Sequence, residues 1–183
     1  KCNMGIVKTL NRGIDLCRGK YIARMDCDDI SVPERLQKQV EYMEQHSSIG
    51  VLGADIIVFG EGVSKRVFTF EHDKFRCKAG LLFHTCFAHP VVIIRKSLLD
   101  EYNLRYDDNY RGLEDYELWY RISKHADLVN LPCPLLHYRR HKSQETQNIS
   151  PKVVSNLKEF LLNRFSEYIS IEDVSIGNTC PST

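Results

Sequence analysis

Asp26, Asp28 and Asp29 follow directly on a short apolar run, Tyr21-Ile22-Ala23 with Met25 one residue on. Asp26 and Asp28 are two residues apart, so on an extended backbone their side chains leave the same side and can converge on one cation. Paired carboxylates are hard oxygen donors suited to Mg²⁺ or Mn²⁺. The bland alternative is a turn, since short acids accept local backbone hydrogen bonds. An EF-hand is excluded: counted from Asp26, the loop needs Gly where Ser31 stands and Glu where Gln37 stands.

Two further polar clusters stand at the ends of apolar segments. Glu114 and Asp115 open a stretch in which Leu118 and Ile122 are four apart, with Tyr116 and Tyr120 on a neighbouring line, which is helical spacing. Acids in a first helical turn are also favoured by the dipole alone, by about 0.3–1 kcal/mol each. Arg139 and His141 close the extended run 128–138 in a basic cluster with Arg140 and Lys142, and such clusters are commonly solvated faces. Together the three clusters supply a metal site, a carboxylate base, and cationic or imidazole groups for a diphosphate. That is the set needed for displacement at an activated sugar phosphate.

The elements that must hold these groups show in the periodicity. Residues 6–17 place Ile6, Leu10, Ile14 and Cys17 on one helical face before Arg18-Gly19 stops it. This helix feeds the Tyr21 run, which reads as a strand buried on both faces of a parallel sheet, with its acids at the carboxyl end where open α/β sheets bind ligands. Ser31 or its neighbour reads as the cap of an amphipathic helix over 33–45, with Pro33 in its first turn. Residues 49–59 predict one strand or two, Gly60-Glu61-Gly62 a turn, and 65–70 the returning edge strand of a hairpin. A helix over 72–83, a buried strand over 91–94, a short helix over 95–102 and a polar loop over 106–112 follow. Residues 128–138 are extended despite Pro132 and Pro134, and 151–169 form a last helix. The expected domain organisation is a catalytic unit over 1–150, a helix over 151–170 packing on it, and a flexible tail over 171–183.

Composition narrows the class. At 183 residues, 43% hydrophobic and 27% charged, the sequence fits one soluble, globular domain with a real core. Twenty-five basic against 24 acidic residues leave a formal charge of +1, which offers no argument for nucleic acid. Seven cysteines, at positions 2, 17, 27, 77, 86, 133 and 180, form no CxxC pair and leave one over. That argues against a disulfide framework or zinc knuckle and for a reducing, cytoplasmic setting. There is no secretory leader pattern, and no apolar run approaches the ~20 residues of a membrane span.

The motifs quoted so far fall in a recognisable order. Asn3-x-Gly5, Leu10-Asn11-x-Gly13, Gly19-Lys20-Tyr21-Ile22-Ala23-Arg24-Met25-Asp26-x-Asp28-Asp29-Ile30, Pro33-Glu34-Arg35-Leu36, His89-Pro90, Glu114-Asp115-Tyr116-Glu117-Leu118-Trp119-x-Arg121 and Tyr138-Arg139-x-His141 together resemble the family 2 glycosyltransferases of the GT-A fold. The resemblance implies a GT-A-like nucleotide-diphospho-sugar transferase fold, a mixed, mainly parallel sheet flanked by helices. It also implies that the amino-terminal nucleotide-binding strands are missing, on the order of 60–90 residues at about 30 per βαβ unit. Carried over by position, Arg24, Asp26 and Arg139 lie on the nucleotide-diphosphate side, and Asp26 against ribose or metal. Asp28 is the principal metal ligand, Asp29 supports it, and His141 reaches the metal from the far side. Asp115 is the catalytic base and Glu114 orients it or the acceptor.

The implied reaction is inverting transfer from a nucleotide-sugar donor, UDP-linked by expectation, to a saccharide or lipid-linked acceptor, with Mn²⁺ or Mg²⁺, in polysaccharide biosynthesis. The implied setting is the cytoplasm or the inner membrane face, with peripheral membrane association through a lipid-linked acceptor. An open sheet edge beside Tyr21 would invite a homo-oligomer. Two other classes stay open on the residues alone: a non-catalytic glycan- or protein-binding relative of the same fold, and a metal-dependent phosphohydrolase, which lacks the denser His/Asp set of two-metal sites.

Overall fold

A computed structural model describes residues 3–142 and 151–168; the expected tail over 171–183 lies outside the described residues. In chain order the elements are α1 (Ile6–Leu16), β1 (Tyr21–Ala23), β2 (Ile30–Ser31), α2 (Arg35–Gln45), β3 (Ile49–Gly60), β4 (Val63–Phe68), α3 (Lys74–Gly80), β5 (Ile93–Arg95), α4 (Lys96–Glu101), α5 (Glu114–Ile122), β6 (Asp127–Arg140) and α6 (Pro151–Tyr168). Single 3₁₀ turns lie at His89–Val91 and Asp108–Tyr110.

The apolar residues of β3 form one continuous strand, and everything else is arranged on it. The sheet order is β1-β5-β3-β6-β2, with β4 paired to the far half of β3. The sheet is mixed: its longest ladder, β3 with β6, is parallel from Ile49↔Asp127 to Gly60↔Arg140, and the other four pairings are antiparallel. The hairpin of β3 and β4 is as expected. Pro132 and Pro134 fit inside β6 because the register slips around Asp55↔Pro134. Such irregularities are where a strand tolerates a residue that cannot donate to the ladder.

Three expectations are corrected. The Tyr21 strand is a three-residue antiparallel edge, not a strand buried on both faces of a parallel sheet. Tyr21 and Ile22 are half-buried and Met25 is 47% exposed, because β5 runs against β1 and covers one side only. Ser31 does not cap the following helix: it lies in β2, paired with Leu136, and α2 starts at Arg35 with Glu34 before it. The helix expected over 72–83 is confined to Lys74–Gly80, because Asp73 caps it by accepting from the N–H groups of Phe75 and Arg76.

Helices cover both sheet faces. One cluster gathers Val7 and Ile14 of α1, Cys77, Leu99, Leu118, Trp119 and Phe160 of α6; the other gathers Met43 of α2 with Leu52, Ile56, Ile93 and Leu136. Each fully buried large aliphatic side chain contributes about 1.5–3 kcal/mol. α6 is fastened by Arg164, 1% exposed, which donates to the carbonyls of Leu81 and Leu82 and to the Tyr116 hydroxyl, with its guanidinium 4.1 Å from the Phe160 ring centroid. That seat places α6 against α5, whose first turn carries Glu114 and Asp115.

Candidate active site

The β2–β6 pairing, Ile30↔His137, sets the acidic turn directly beside the end of β6. The Arg139 N–H donates to Asp29 Oδ1 at 2.8 Å, and its Nε donates to the Asp28 carbonyl at 2.7 Å, while the guanidinium lies 4.6 Å from the Phe59 ring centroid. His141 Nε2 is 3.0 Å from Asp28 Oδ2. Gly60 makes this convergence possible: at φ +129° β3 leaves the ladder, and a Cβ there would sit 2.1 Å from the Arg140 carbonyl oxygen. On the other side Arg24 grips Asp26 through both nitrogens, at 2.8 and 2.7 Å.

Asp29 is the odd member of this group. It is 8% exposed, and its Oδ2 has no hydrogen-bond partner among the described residues. Burial first, then the charges of Asp26 and Asp28, push its carboxyl up to about 6, against the pull of the Arg139 N–H and Arg24. A buried acceptor without a partner costs roughly 1–3 kcal/mol, more when charged. A cation would satisfy it. Among the described residues no three His, Cys, Asp or Glu side chains form a closed cage, but Mg²⁺ and Mn²⁺ need only one or two carboxylates when water and phosphate oxygens complete the shell. Asp28 and Asp29 therefore fit such an ion, with His141 holding Asp28.

The second carboxylate pair sits at the start of α5. Glu114, 7% exposed, accepts from the Gly112 N–H, which turns it back over the loop. Asp115 accepts from the Tyr116 N–H at 2.7 Å, and its carboxyl is also pushed up to about 6, by burial first and then by Glu114. Arg24 lowers both Asp29 and Asp115 through its charge, so one guanidinium is felt at both carboxylate groups. Between Arg24, Asp26 and the start of α1 a cleft of about 340 Å³ opens, lined also by Asn3, Gly5 and Thr9.

Sequence reasoning left out a supporting layer. His89 Nε2 is 2.8 Å from the Tyr106 hydroxyl, its ring stands edge-on to Trp119, and burial holds its pKa well below the usual histidine range. Asn11 brackets Tyr106 by donating to its carbonyl and accepting from its N–H. Arg35, 2% exposed, donates to the carbonyls of Arg24 and Val92, fixing the end of β1; burial lowers its pKa to about 10. His89, Asn11 and Arg35 all stand in the motifs quoted above, but only their contacts give them roles.

Comparison with known proteins gives the same reading of the fold. The sequence signature described as Glycosyl transferase family 2 matches residues 1–102. The amylovoran biosynthesis glycosyltransferase AmsE of Erwinia amylovora is 35% identical over 138 residues, covering 75% of this chain and 51% of that protein. The O-antigen biosynthesis glycosyltransferase WbnJ of Escherichia coli is 34% identical over 163 residues, covering 85% of this chain and 62% of that protein. The crystal structure of S. aureus TarS residues 1–349 in complex with UDP-GlcNAc shares the fold at a TM-score of 0.68 and 15% identity, over 92% of this chain and 49% of that one. The chain spans about half the length of the relatives it matches. With the signature covering more than half its residues, on a mixed GT-A-like sheet, the chain belongs to glycosyl transferase family 2.

Proposed function

We propose that this chain carries the catalytic carboxylates of an inverting glycosyltransferase, which moves a sugar from a nucleotide-sugar donor, UDP-linked by preference, to a saccharide or lipid-linked acceptor. The observation that carries the reading is the buried Asp29 Oδ2, without a hydrogen-bond partner among the described residues, beside an Asp28 held by His141, in the same acidic turn as Asp26, which lines the cleft with Arg24. TarS is described in complex with UDP-GlcNAc, and the mannosyltransferase PcManGT of Pyrobaculum calidifontis, at TM-score 0.54, in complex with GDP-Man and Mn²⁺. Both support a nucleotide-sugar as the ligand class.

Asp28 and Asp29 would hold Mn²⁺ or Mg²⁺, which when bound neutralises charge on the departing diphosphate. Arg139, tied to the acidic turn, would bring its positive charge to the phosphate oxygens, and Arg24 orients Asp26 toward the nucleotide. Asp115 takes the proton of the acceptor hydroxyl as that oxygen attacks the anomeric carbon. It must be ionised to do so, and burial, with Glu114 beside it, keeps its proton affinity high. A lipid-linked acceptor would bring the chain to a membrane face as a peripheral protein; no helix among the described residues is long and apolar enough to cross one. The outer side of β1, which no strand pairs among the described residues, would accept a strand from a second copy.

Calorimetric titration with UDP, with and without Mn²⁺, tests the reading. Binding that needs the metal and vanishes in Asp28→Asn is the expected result, followed by turnover with UDP-sugars. Metal-independent binding, or binding that survives Asp28→Asn, would overturn it.

A further inference from the structure

A second cavity, of about 210 Å³, lies at the opposite end of the sheet. Ile49, the first residue of β3, and Ala126, just before β6, both line it. The carboxylate site lies at the other ends of these parallel strands, at Gly60 and Arg140. Along β3 that end is eleven residue steps away, roughly 35 Å at ~3.3 Å each, and this cavity shares no lining residue with the cleft bounded by Arg24 and Asp26.

Its lining is amphipathic. The rings of Tyr102 and His125 stack face to face, 3.8 Å between centroids and 22° between planes, and Tyr102 keeps 41% of its surface exposed. The Glu101 carboxylate beside it raises the Tyr102 hydroxyl's pKa. The hydroxyls of Ser47 and Ser97, also in the lining, make no hydrogen bond among the described residues. Arg95 is the only arginine there, and it is occupied: it donates to the carbonyls of Ile49, Met43 and His46 and to the Tyr21 hydroxyl. One of its five N–H groups is left over.

We infer that this cavity is a saccharide-binding site, separate from the transfer site, which takes one neutral pyranose unit of a glycan against the Tyr102–His125 stack. The chemistry selects that class. A pyranose offers an apolar C–H face, whose partial positive charge suits an aromatic ring face, and a rim of hydroxyls that both donate and accept. Glu101 accepts, the serine hydroxyls do either, and the spare Arg95 N–H donates. An anion is disfavoured because the Arg95 fork is spent on carbonyls and Glu101 repels it. The site is a small concave surface with a few placed polar groups, and it would hold a glycan whether or not this chain transfers a sugar.

Saturation-transfer NMR on the folded chain tests this, with the methyl glycosides of glucose, galactose, mannose and N-acetylglucosamine as probes at millimolar concentration. At least one glycoside should receive saturation, strongest on the ring C–H protons of one face, and should shift the His125 imidazole resonances of the unmutated protein. Apparent affinity should fall about tenfold in Tyr102→Ala and in His125→Ala, and persist in Tyr102→Phe and Asp28→Asn. Both aromatic residues are exposed, and the His125 resonances report occupancy without any mutation. The inference is overturned if no glycoside binds, if binding survives Tyr102→Ala, if it is lost in Asp28→Asn, or if uridine or inorganic phosphate displaces the sugar.

Discussion

Asp29 and Asp115 have carboxyls raised to about the same value, near 6, yet their surroundings differ. Asp29 sits in a turn whose other acids are already engaged, Asp26 by Arg24 and Asp28 by His141. One of its oxygens is fixed by the Arg139 N–H and the other has no hydrogen-bond partner among the described residues. Asp115 opens a helix, next to a second carboxylate that is itself turned onto the Gly112 N–H. Burial raises both, but the remedy differs. Asp29 is held rigidly with an oxygen pointing nowhere, which a cation relieves. Asp115 has like charge beside it, which a proton relieves. A rigid orphan oxygen suits ligation, and a carboxylate poised near neutrality suits proton transfer.

The strongest way to break this comparison is Asp115→Asn, which removes the proton acceptor and leaves the acidic turn intact. Transfer should fall by about 10²–10⁴-fold while Mn²⁺-dependent UDP affinity stays within about twofold of the parent; a parallel loss of UDP binding would make the two carboxylates one unit. His141→Gln removes the imidazole that holds Asp28 and should weaken Mn²⁺-dependent UDP binding by about 10–100-fold, read by calorimetry.

Acidity separates them further. Because Asp115 must be ionised, the transfer rate should lose about tenfold per pH unit below roughly 6 and level off above it. Replacing Asp115 should abolish that limb, and replacing His141 should leave it. The smallest effect is on stability. A carboxyl whose folded pKa lies near 6, above its ordinary 3.8, binds more protons folded than unfolded between those values, so its contribution to stability falls as pH rises from about 4 to about 6. Asp29→Asn should therefore stabilise the metal-free protein by about 1–2 kcal/mol at pH 7.5, and by close to nothing below pH 4. Denaturant midpoints at the two pH values measure it, and equal effects at both would mean that charge burial is not what raises Asp29.

Much of the frame was legible in order along the chain. The helices at α1, α2 and α5 and the hairpin after β3 follow from local periodicity and turn residues, which act over a few positions. Two of the three errors fell where a partner distant in sequence decided; the third, the start of α3, was set locally by the Asp73 cap. Tyr21-Ile22-Ala23 is apolar enough for a central strand, but β5 pairs with it antiparallel. Ser31 carries the side chain of a helix cap, but β6 claims its backbone.

The candidate site divides the same way. Residue chemistry and spacing marked Asp26, Asp28, Asp29, Glu114, Asp115, Arg139 and His141 as groups able to bind a cation, a diphosphate or a proton, because those capacities belong to side chains and travel with the sequence. Which of them meet, and with what charge, is a property of the tertiary structure. Asp28 and His141 are 113 positions apart and touch only because β2 pairs with β6. Asp29 and Asp115 acquire their raised proton affinity from burial, which no single residue type specifies. His89 and Tyr106 find each other 17 positions apart, with β5 and α4 between them. The sequence by itself determined the chemical vocabulary and the local elements. Only the packed sheet decided the distances and the dielectric surroundings that turn those groups into a site.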